Sequence, residues 1–227
     1  MKEIEIIRFE NGIFQKRKDS VVRERILNIF VGGEFLNSII YSSGFSKELL
    51  FGYLYLEGLI NSVHDVTEYR ETESEYSVNY FVEVRKSEIA SISKERITVN
   101  RNTLFSLMEE LLSKGEIFSK TGGTHIAGLA EDNKLSVYFE DISRRSAIQK
   151  CVGFSILNKL RPDFLFLSGR VGFNTVLYAK RAGINFIVSQ SSASDLAIRT
   201  ATSEGITLIG FLRGKRFNIY SHAEYVE

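Results

Sequence analysis

Tryptophan is absent from this 227-residue chain, proline occurs once, at Pro162, and cysteine once, at Cys151. A single cysteine excludes an intrachain disulfide and any CxxC redox or zinc motif. Such sparing use fits a reducing compartment. The three histidines, His64, His125 and His222, are scattered without ligand-like spacing, so no metal bound directly by the protein is expected. Charge of one sign is also missing: 29 basic against 28 acidic residues leave +1, which gives no footprint for nucleic acid or an anionic membrane. No apolar run approaches the roughly 20 residues of a membrane helix. The start, Met1-Lys2-Glu3-Ile4-Glu5, mixes charges where a signal peptide has an apolar stretch. The expectation is a soluble, cytoplasmic protein with no nucleic-acid or membrane partner. No Walker loop, GxSxG or HxE…CxxC pattern occurs, so the chemistries read from those motifs are not indicated.

What is present is an ordinary globular balance, 44% hydrophobic and 25% charged, in a chain long enough to bury a sizeable core. Two units are expected, 1–100 and 101–227. The first reads as a smaller β-rich α+β unit. Strands are predicted at 4–9, 25–31 and 76–84, with Gly32-Gly33 as a turn. A helix is predicted from an N-cap at Ser46 to about Glu57, closed by Gly58. Residues 67–77 read as a loop or hairpin arm. From Asn102 the pattern changes: Leu104, Leu107, Met108, Leu111 and Leu112 recur at helical spacing up to Gly115. Paired strands at 125–130 and 135–139 turn at Asp132-Asn133. Helices at 147–157, 175–181 and 195–203 then alternate with strands at 164–167, 186–189 and 206–211, before an antiparallel strand at 217–220. That alternation predicts a mixed, partly parallel α/β sheet with helices on both faces.

Ligands of such sheets sit at the carboxyl ends of the strands. Ser168-Gly169-Arg170, Ser189-Gln190-Ser191-Ser192 and Arg213-Gly214-Lys215-Arg216 fall there. Three glycine-containing turns lie beside strand-like runs: Thr121-Gly122-Gly123-Thr124-His125, which enters a strand, Ser168-Gly169-Arg170 and Phe211-Leu212-Arg213-Gly214-Lys215-Arg216. Glycine lets a backbone approach a ligand and expose N–H groups, and arginine at a strand-to-helix junction strengthens an anion site. Each turn also has a plain reading: a tight turn with a satisfied histidine, a simple βα turn, or a solvated basic hairpin tip. Ser189, Ser191, Ser192 and Ser194 precede a helix, where Ser194 suits a cap. Glu140-Asp141 could accept hydrogen bonds from a base or ribose, or pair with Arg144 or Arg145. That arginine pair begins a helix, against the dipole, which hints at a nearby anion. Cys151 lies among Ile148, Val152 and Ile156 and reads as a buried small hydrophobe rather than a reactive thiolate.

In order, the segments Phe118-x-x-Thr121-Gly122-Gly123-x-His125-x-Ala127, Glu140-Asp141-Ile142-x-Arg144-x-x-Ala147-x-x-Lys150, Ser168-Gly169-Arg170, Lys180-x-x-Gly183, Leu196-Ala197 and Thr207-Leu208-Ile209-Gly210-Phe211 with Tyr220 resemble the FdhD family, the formate dehydrogenase accessory proteins. So does Glu48-Leu49-Leu50-Phe51-Gly52-Tyr53-Leu54-x-x-Glu57-Gly58-Leu59-Ile60. The resemblance implies a cytidine-deaminase-like α/β domain without zinc. It also implies a carrier that takes sulfur from a cysteine desulfurase and passes it to the molybdenum bis(guanine dinucleotide) cofactor before that cofactor enters formate dehydrogenase or another molybdoenzyme. A homodimer is implied too, and 211–216 resembles the cofactor-contacting stretch, with GDP a mimic of the cofactor's end. The chain departs from the pattern at four places. No cysteine stands in about 88–102, where the family carries CxxC; Ser143-Arg144-Arg145-Ser146 replaces Gly-Arg-His-Asn; Gln149 replaces an aspartate and Gly172 a serine. The expectation is an FdhD-like cofactor carrier with no catalytic residue of its own and CxxC sulfur transfer lost. A sulfurtransferase using Cys151, a non-catalytic docking chaperone and a nucleotide binder of another pathway stand as alternatives.

Overall fold

The structure, a computed structural model, describes residues 1–85, 87–88 and 96–227. Part of the 88–102 segment aligned with the missing CxxC therefore lies outside the described residues. Strands β1 (Lys2–Glu10) and β2 (Ile13–Val21) form a hairpin that is a sheet of its own. The first was predicted. The second has no buried face for alternation to mark, since every residue from Ile13 to Lys18 is exposed. A four-stranded sheet follows, built from β3 (Glu24–Val31), β4 (Glu34–Ser42), β5 (Val66–Glu73) and β6 (Ser77–Val84) in the order β4-β3-β6-β5. Gly32 and Gly33, at φ 59° and 81°, make the expected turn between β3 and β4. The polar 67–77 stretch resolves as the hairpin arm, β5 against β6.

Helix α1 (Ser46–Leu56) begins at the residue predicted to cap it, one residue earlier than expected. Phe45, in the left-handed region, holds the N-cap position without a side-chain hydrogen bond. Ser46 is already helical, and its hydroxyl meets Tyr80 Oη at 3.1 Å, because a tertiary partner competes with the local capping bond.

The second half is built on six strands: β7 (His125–Glu131), β8 (Lys134–Asp141), β9 (Phe164–Leu167), β10 (Phe186–Ser189), β11 (Thr207–Arg213) and β12 (Arg216–Ser221), in the order β12-β11-β10-β9-β7-β8. Strands β9, β10 and β11 run parallel, and the others join antiparallel. Helix α2 (Arg101–Ser113) packs Leu104, Leu107, Met108 and Leu111 against Phe164, Phe166, Phe186 and Val188 on one face. On the other face Leu165, Leu167 and Ile187 meet α4 (Arg144–Leu157), α5 (Phe173–Arg181) and α6 (Asp195–Ser203). This is the mixed α/β sheet with helices on both faces that the alternation predicted. A short helix, α3 (Glu116–Thr121), leads into β7 and was not foreseen, its residues all being exposed or half-buried.

Helix α4 joins the two halves. Its backbone touches that of α1: a Cβ on Gly52 would stand 1.8 Å from the Gln149 carbonyl oxygen, and one on Gly153 1.8 Å from that of Glu48. Beneath this crossing Lys150 and Asp141, 1% and 0% exposed, pair at 2.7 Å. Lys150 also donates to the Ser42 carbonyl at 3.0 Å, while the Ser42 and Ser143 amides donate to Asp141. The charges are enclosed but fully coordinated, which such burial demands.

Candidate anion-binding site

Because β9, β10 and β11 are parallel, their carboxyl ends share one edge of the sheet, and hydrogen bonds link the turns along it. The Phe211 amide donates to the Ser191 carbonyl, and Arg213 Nε to that of Gln190 at 2.7 Å. Ser189 Oγ donates to the Gly169 carbonyl at 2.7 Å. Ser168 closes the row by exchanging two bonds with Ile126, its amide to the Ile126 carbonyl and the Ile126 amide to its Oγ.

The glycine turns differ in what they offer. In the first, Thr121 Oγ1 donates to the Ile117 carbonyl and accepts from the Gly123 amide, while Gly122, at φ 65°, closes α3. Thr124 is buried and donates to Glu140, which also accepts from the Ile117 and Phe118 amides at 2.7 Å each. Glu140 is therefore the cap of α3 and Asp141 the partner of Lys150, and neither pairs with Arg144 or Arg145. The third turn is the β11–β12 tip, with Gly214 at φ 57°, Leu212 buried, and Lys215 and Arg216 exposed.

The second turn opens into a cavity. Ser168-Gly169-Arg170 ends β9, and Arg144, at the start of α4, crosses over it to donate to the Arg170 carbonyl at 2.8 Å. A Cβ on Gly169 would lie 2.3 Å from Arg144 Cδ, so glycine is what lets the arginine pass. Beside this crossing lies a cavity of about 390 Å³ lined by Ser143, Arg144, Arg145 and Arg170 together with the start of α5. Two helix N-termini flank it. Ser143 caps α4 through its hydroxyl, but Gly172 gives α5 no side-chain cap, which leaves the first α5 amides open. The positive ends of both dipoles and three arginines thus converge on one space. Among the described residues none of these arginines is paired with a carboxylate. His125, at the start of β7, sits behind Arg144 and Arg170. Burial, and then the two guanidinium charges, hold its imidazole below the usual histidine range. It is therefore neutral at pH 7.

Of the residues singled out in the sequence, Arg144, Arg145 and Arg170 line this cavity; His125 and Gly169 stand directly behind it. Ser168 is spent on Ile126. Thr121, Gly122, Gly123 and Phe211, Leu212, Arg213, Gly214, Lys215, Arg216 are not among the lining residues. Phe173, Asn174, Thr175 and Tyr178 were not foreseen there. The signal that did point to the place was the arginine pair set against a helix dipole. Cys151 is fully buried; its thiol donates to the Ala127 carbonyl at 3.3 Å, and burial pushes it up to about 12. Among the described residues no group of three His, Cys, Asp or Glu side chains could hold a metal ion, and no helix is long and apolar enough to cross a membrane.

Fold and cavity together define a class: a mixed α/β protein with a cationic pocket between helix N-termini at the carboxyl edge of its parallel strands. The chain belongs to the FdhD/NarQ family, whose profile matches residues 80–227. It is similar to the sulfur carrier protein FdhD of Saccharolobus solfataricus, 34% identical over 100% of this chain and 98% of that protein. The sulfur carrier protein FdhD of Sulfolobus acidocaldarius is 33% identical over 100% and 99%. The first alignment spans 252 positions, more than this chain has, so that relative carries stretches this chain lacks. A crystallised chain from Desulfotalea psychrophila, assigned as a formate dehydrogenase accessory protein, matches the fold with a TM-score of 0.86 over 100% of this chain and 99% of that one, at 21% identity.

Proposed function

We propose that this chain is an accessory factor that holds the phosphate-bearing guanine end of the molybdenum bis(guanine dinucleotide) cofactor for formate dehydrogenase or another molybdoenzyme, without carrying sulfur on a cysteine of its own. The observation that carries the reading is the cavity where Arg144, Arg145 and Arg170 converge on two helix N-termini. A diphosphate presents oxygens to several donors at once, and this site supplies guanidinium forks, open α5 amides and the hydroxyls of Ser143 and Thr175. The residues fit the phosphates and offer no ligand set for the metal. When bound, the cofactor would supply molybdenum redox chemistry to the client enzyme; this chain's groups would only grip and orient its phosphates. Arg213, Lys215 and Arg216, at the tip of the same sheet edge, extend the positive field toward the rest of so large a ligand.

The sulfur side of the reading rests on Cys151. Sulfur transfer needs a nucleophilic thiolate, and the one thiol here is enclosed, hydrogen-bonded and raised in pKa. A cysteine desulfurase therefore has no acceptor on this chain, and sulfur loading falls to a partner. A homodimer belongs to the same reading, with the exposed Phe9, Ile13 and Phe14 of the β1–β2 hairpin as its contact.

Calorimetric titration with GDP, with ADP as the control, tests the carrier role. Binding of GDP that weakens about tenfold or more in Arg170→Ala, with a smaller loss in Arg213→Ala or Lys215→Ala, is the expected result. Absence of binding by either nucleotide would overturn the cofactor grip and leave a docking chaperone. A persulfide found on Cys151 by mass spectrometry, after incubation with desulfurase and cysteine, would overturn the sulfur half.

A further inference from the structure

Behind the cationic cavity stands a side chain to which the anion reading gives no task. His125, the first residue of β7, is half-buried beside the crossing of Arg144 over Gly169. A Cβ on Gly169 would lie 2.3 Å from Arg144 Cδ and 3.4 Å from His125 Nδ1, so the arginine stem and the imidazole approach the same point of the backbone. The space enclosed by the ring, the two arginines and the apolar walls of Ile126, Ile148 and Leu167 is about 10 Å³. That is room for one water at most, so bulk solvent does not come between the ring and the guanidinium groups.

The charges that act on this ring are of one sign. Arg144 reaches it from α4, and Arg170 from the end of β9. On β8 its register partner is Asp141, whose carboxylate is taken by Lys150, and the neighbouring Glu140 caps α3. Among the described residues no carboxylate forms an ion pair with the imidazole. Burial and the two arginines hold it neutral. An anion on those arginines changes the balance. Its charge offsets theirs, and a proton on the ring then gains attraction where it met repulsion. Histidine is the side chain whose ordinary pKa lets such a change move a proton near neutral pH.

We propose that His125 is a proton-linked part of the anion site: an anion that arrives at Arg144 and Arg170 draws a proton from solvent onto the ring, and its departure returns that proton. The inference rests on the anion reading above and adds regulation to it. Half-burial leaves the ring a route to solvent. The linkage is reciprocal: a ligand that favours the charged imidazole is held more tightly once the imidazole is charged. Its sign follows from charge. The anion lifts the histidine's pKa, so affinity rises as pH falls through the interval between the bound and free values. Arginines alone would grip equally at every pH in that interval. The histidine makes the grip tighten in mild acid and relax as pH rises.

Inorganic sulfate is the probe, because it keeps both charges across the range in which phosphates themselves take up a proton, about pH 6. The His125 ring signals are followed by NMR against pH, with and without saturating sulfate at constant ionic strength. Sulfate affinity is measured by calorimetry at about pH 7.5 and about pH 5.5 for the intact chain, His125→Asn and Arg170→Ala. Sulfate is expected to raise the titration midpoint of His125 by about half a pH unit or more, less than direct contact with a charge produces. Affinity of the intact chain should rise about twofold or more between the two pH values, as a midpoint displaced by that amount allows. His125→Asn should lose most of that rise, and Arg170→Ala should lose sulfate at both pH values. Sulfate bound through Arg170 with the histidine midpoint unmoved, or with an equal pH dependence in His125→Asn, would overturn the proposal and leave the anion site standing. No sulfate binding by the intact chain, or binding that Arg170→Ala leaves unchanged, would overturn the anion site and the proposal with it. Should a variant fail to fold, the histidine midpoint of the intact chain gives the decision alone.

Discussion

At the scale of single residues, three side chains make opposite uses of burial. Cys151 is silenced by it. Alkylation of the native protein at pH 8 is expected to leave the thiol unlabelled over a period in which the unfolded chain is fully labelled, read by intact mass. Lys150 is held inside by its ion pair with Asp141 and its hydrogen bond to the Ser42 carbonyl. Lys150→Met leaves a carboxylate enclosed without its cation and should lower stability by about 3–5 kcal/mol in urea denaturation, whereas replacing both partners by apolar residues should be far milder. His125 is held neutral by burial and by Arg144 and Arg170. Its folded pKa lies below the unfolded value, so the unfolded chain binds the extra proton first and stability falls as pH drops through about 6.5 toward the folded pKa. Melting midpoints between pH 7.5 and 5 should therefore decline, and His125→Asn should remove part of that decline.

At the scale of elements, the sequence showed most of what has a buried face and little of what does not. The helix α2, with Leu104, Leu107, Met108 and Leu111 on one stripe, and the four-residue apolar strands β9 and β10 were all predicted. The apolar signal of α4 starts three residues late, at Ala147, because Arg144, Arg145 and Ser146 carry none; the arginine pair was nonetheless read as beginning the helix, and the Ser143 cap marks its start. The site was legible as glycine turns beside strands, two of them, at 168–170 and 213–216, at the carboxyl ends of the parallel strands. Which of them opens into a cavity was not, because that depends on Arg144 crossing Gly169, a contact between segments far apart in sequence. The α1–α4 crossing gives the sharpest prediction at this scale. Gly153→Ala forces a methyl into the Glu48 carbonyl and should cost about 3 kcal/mol or more, the upper end of overpacking losses, in chemical denaturation. Alanine at Gly172, where a Cβ meets nothing, should be tolerated.

At the scale of the whole molecule, the β1–β2 hairpin stands apart from the apolar cluster that runs from β3 and α1 through α4 to β11. Its second strand exposes Lys16, Arg17 and Lys18, so limited trypsin digestion at a dilution where the chain is monomeric should cut there first, and the trimmed chain should keep a melting midpoint close to that of the intact monomer. The crossing of α1 and α4 has a further consequence for how the protein is made. A ribosome delivers α1 nearly a hundred residues before Gly153 and Lys150. Until they emerge from the exit tunnel, Leu49, Leu50 and Leu54 have no helix to lie against and the Ser42 carbonyl no ammonium to receive. The early sheet must wait on the nascent chain with its apolar side uncovered, so synthesis of this protein should lean on ribosome-associated chaperones until α4 arrives.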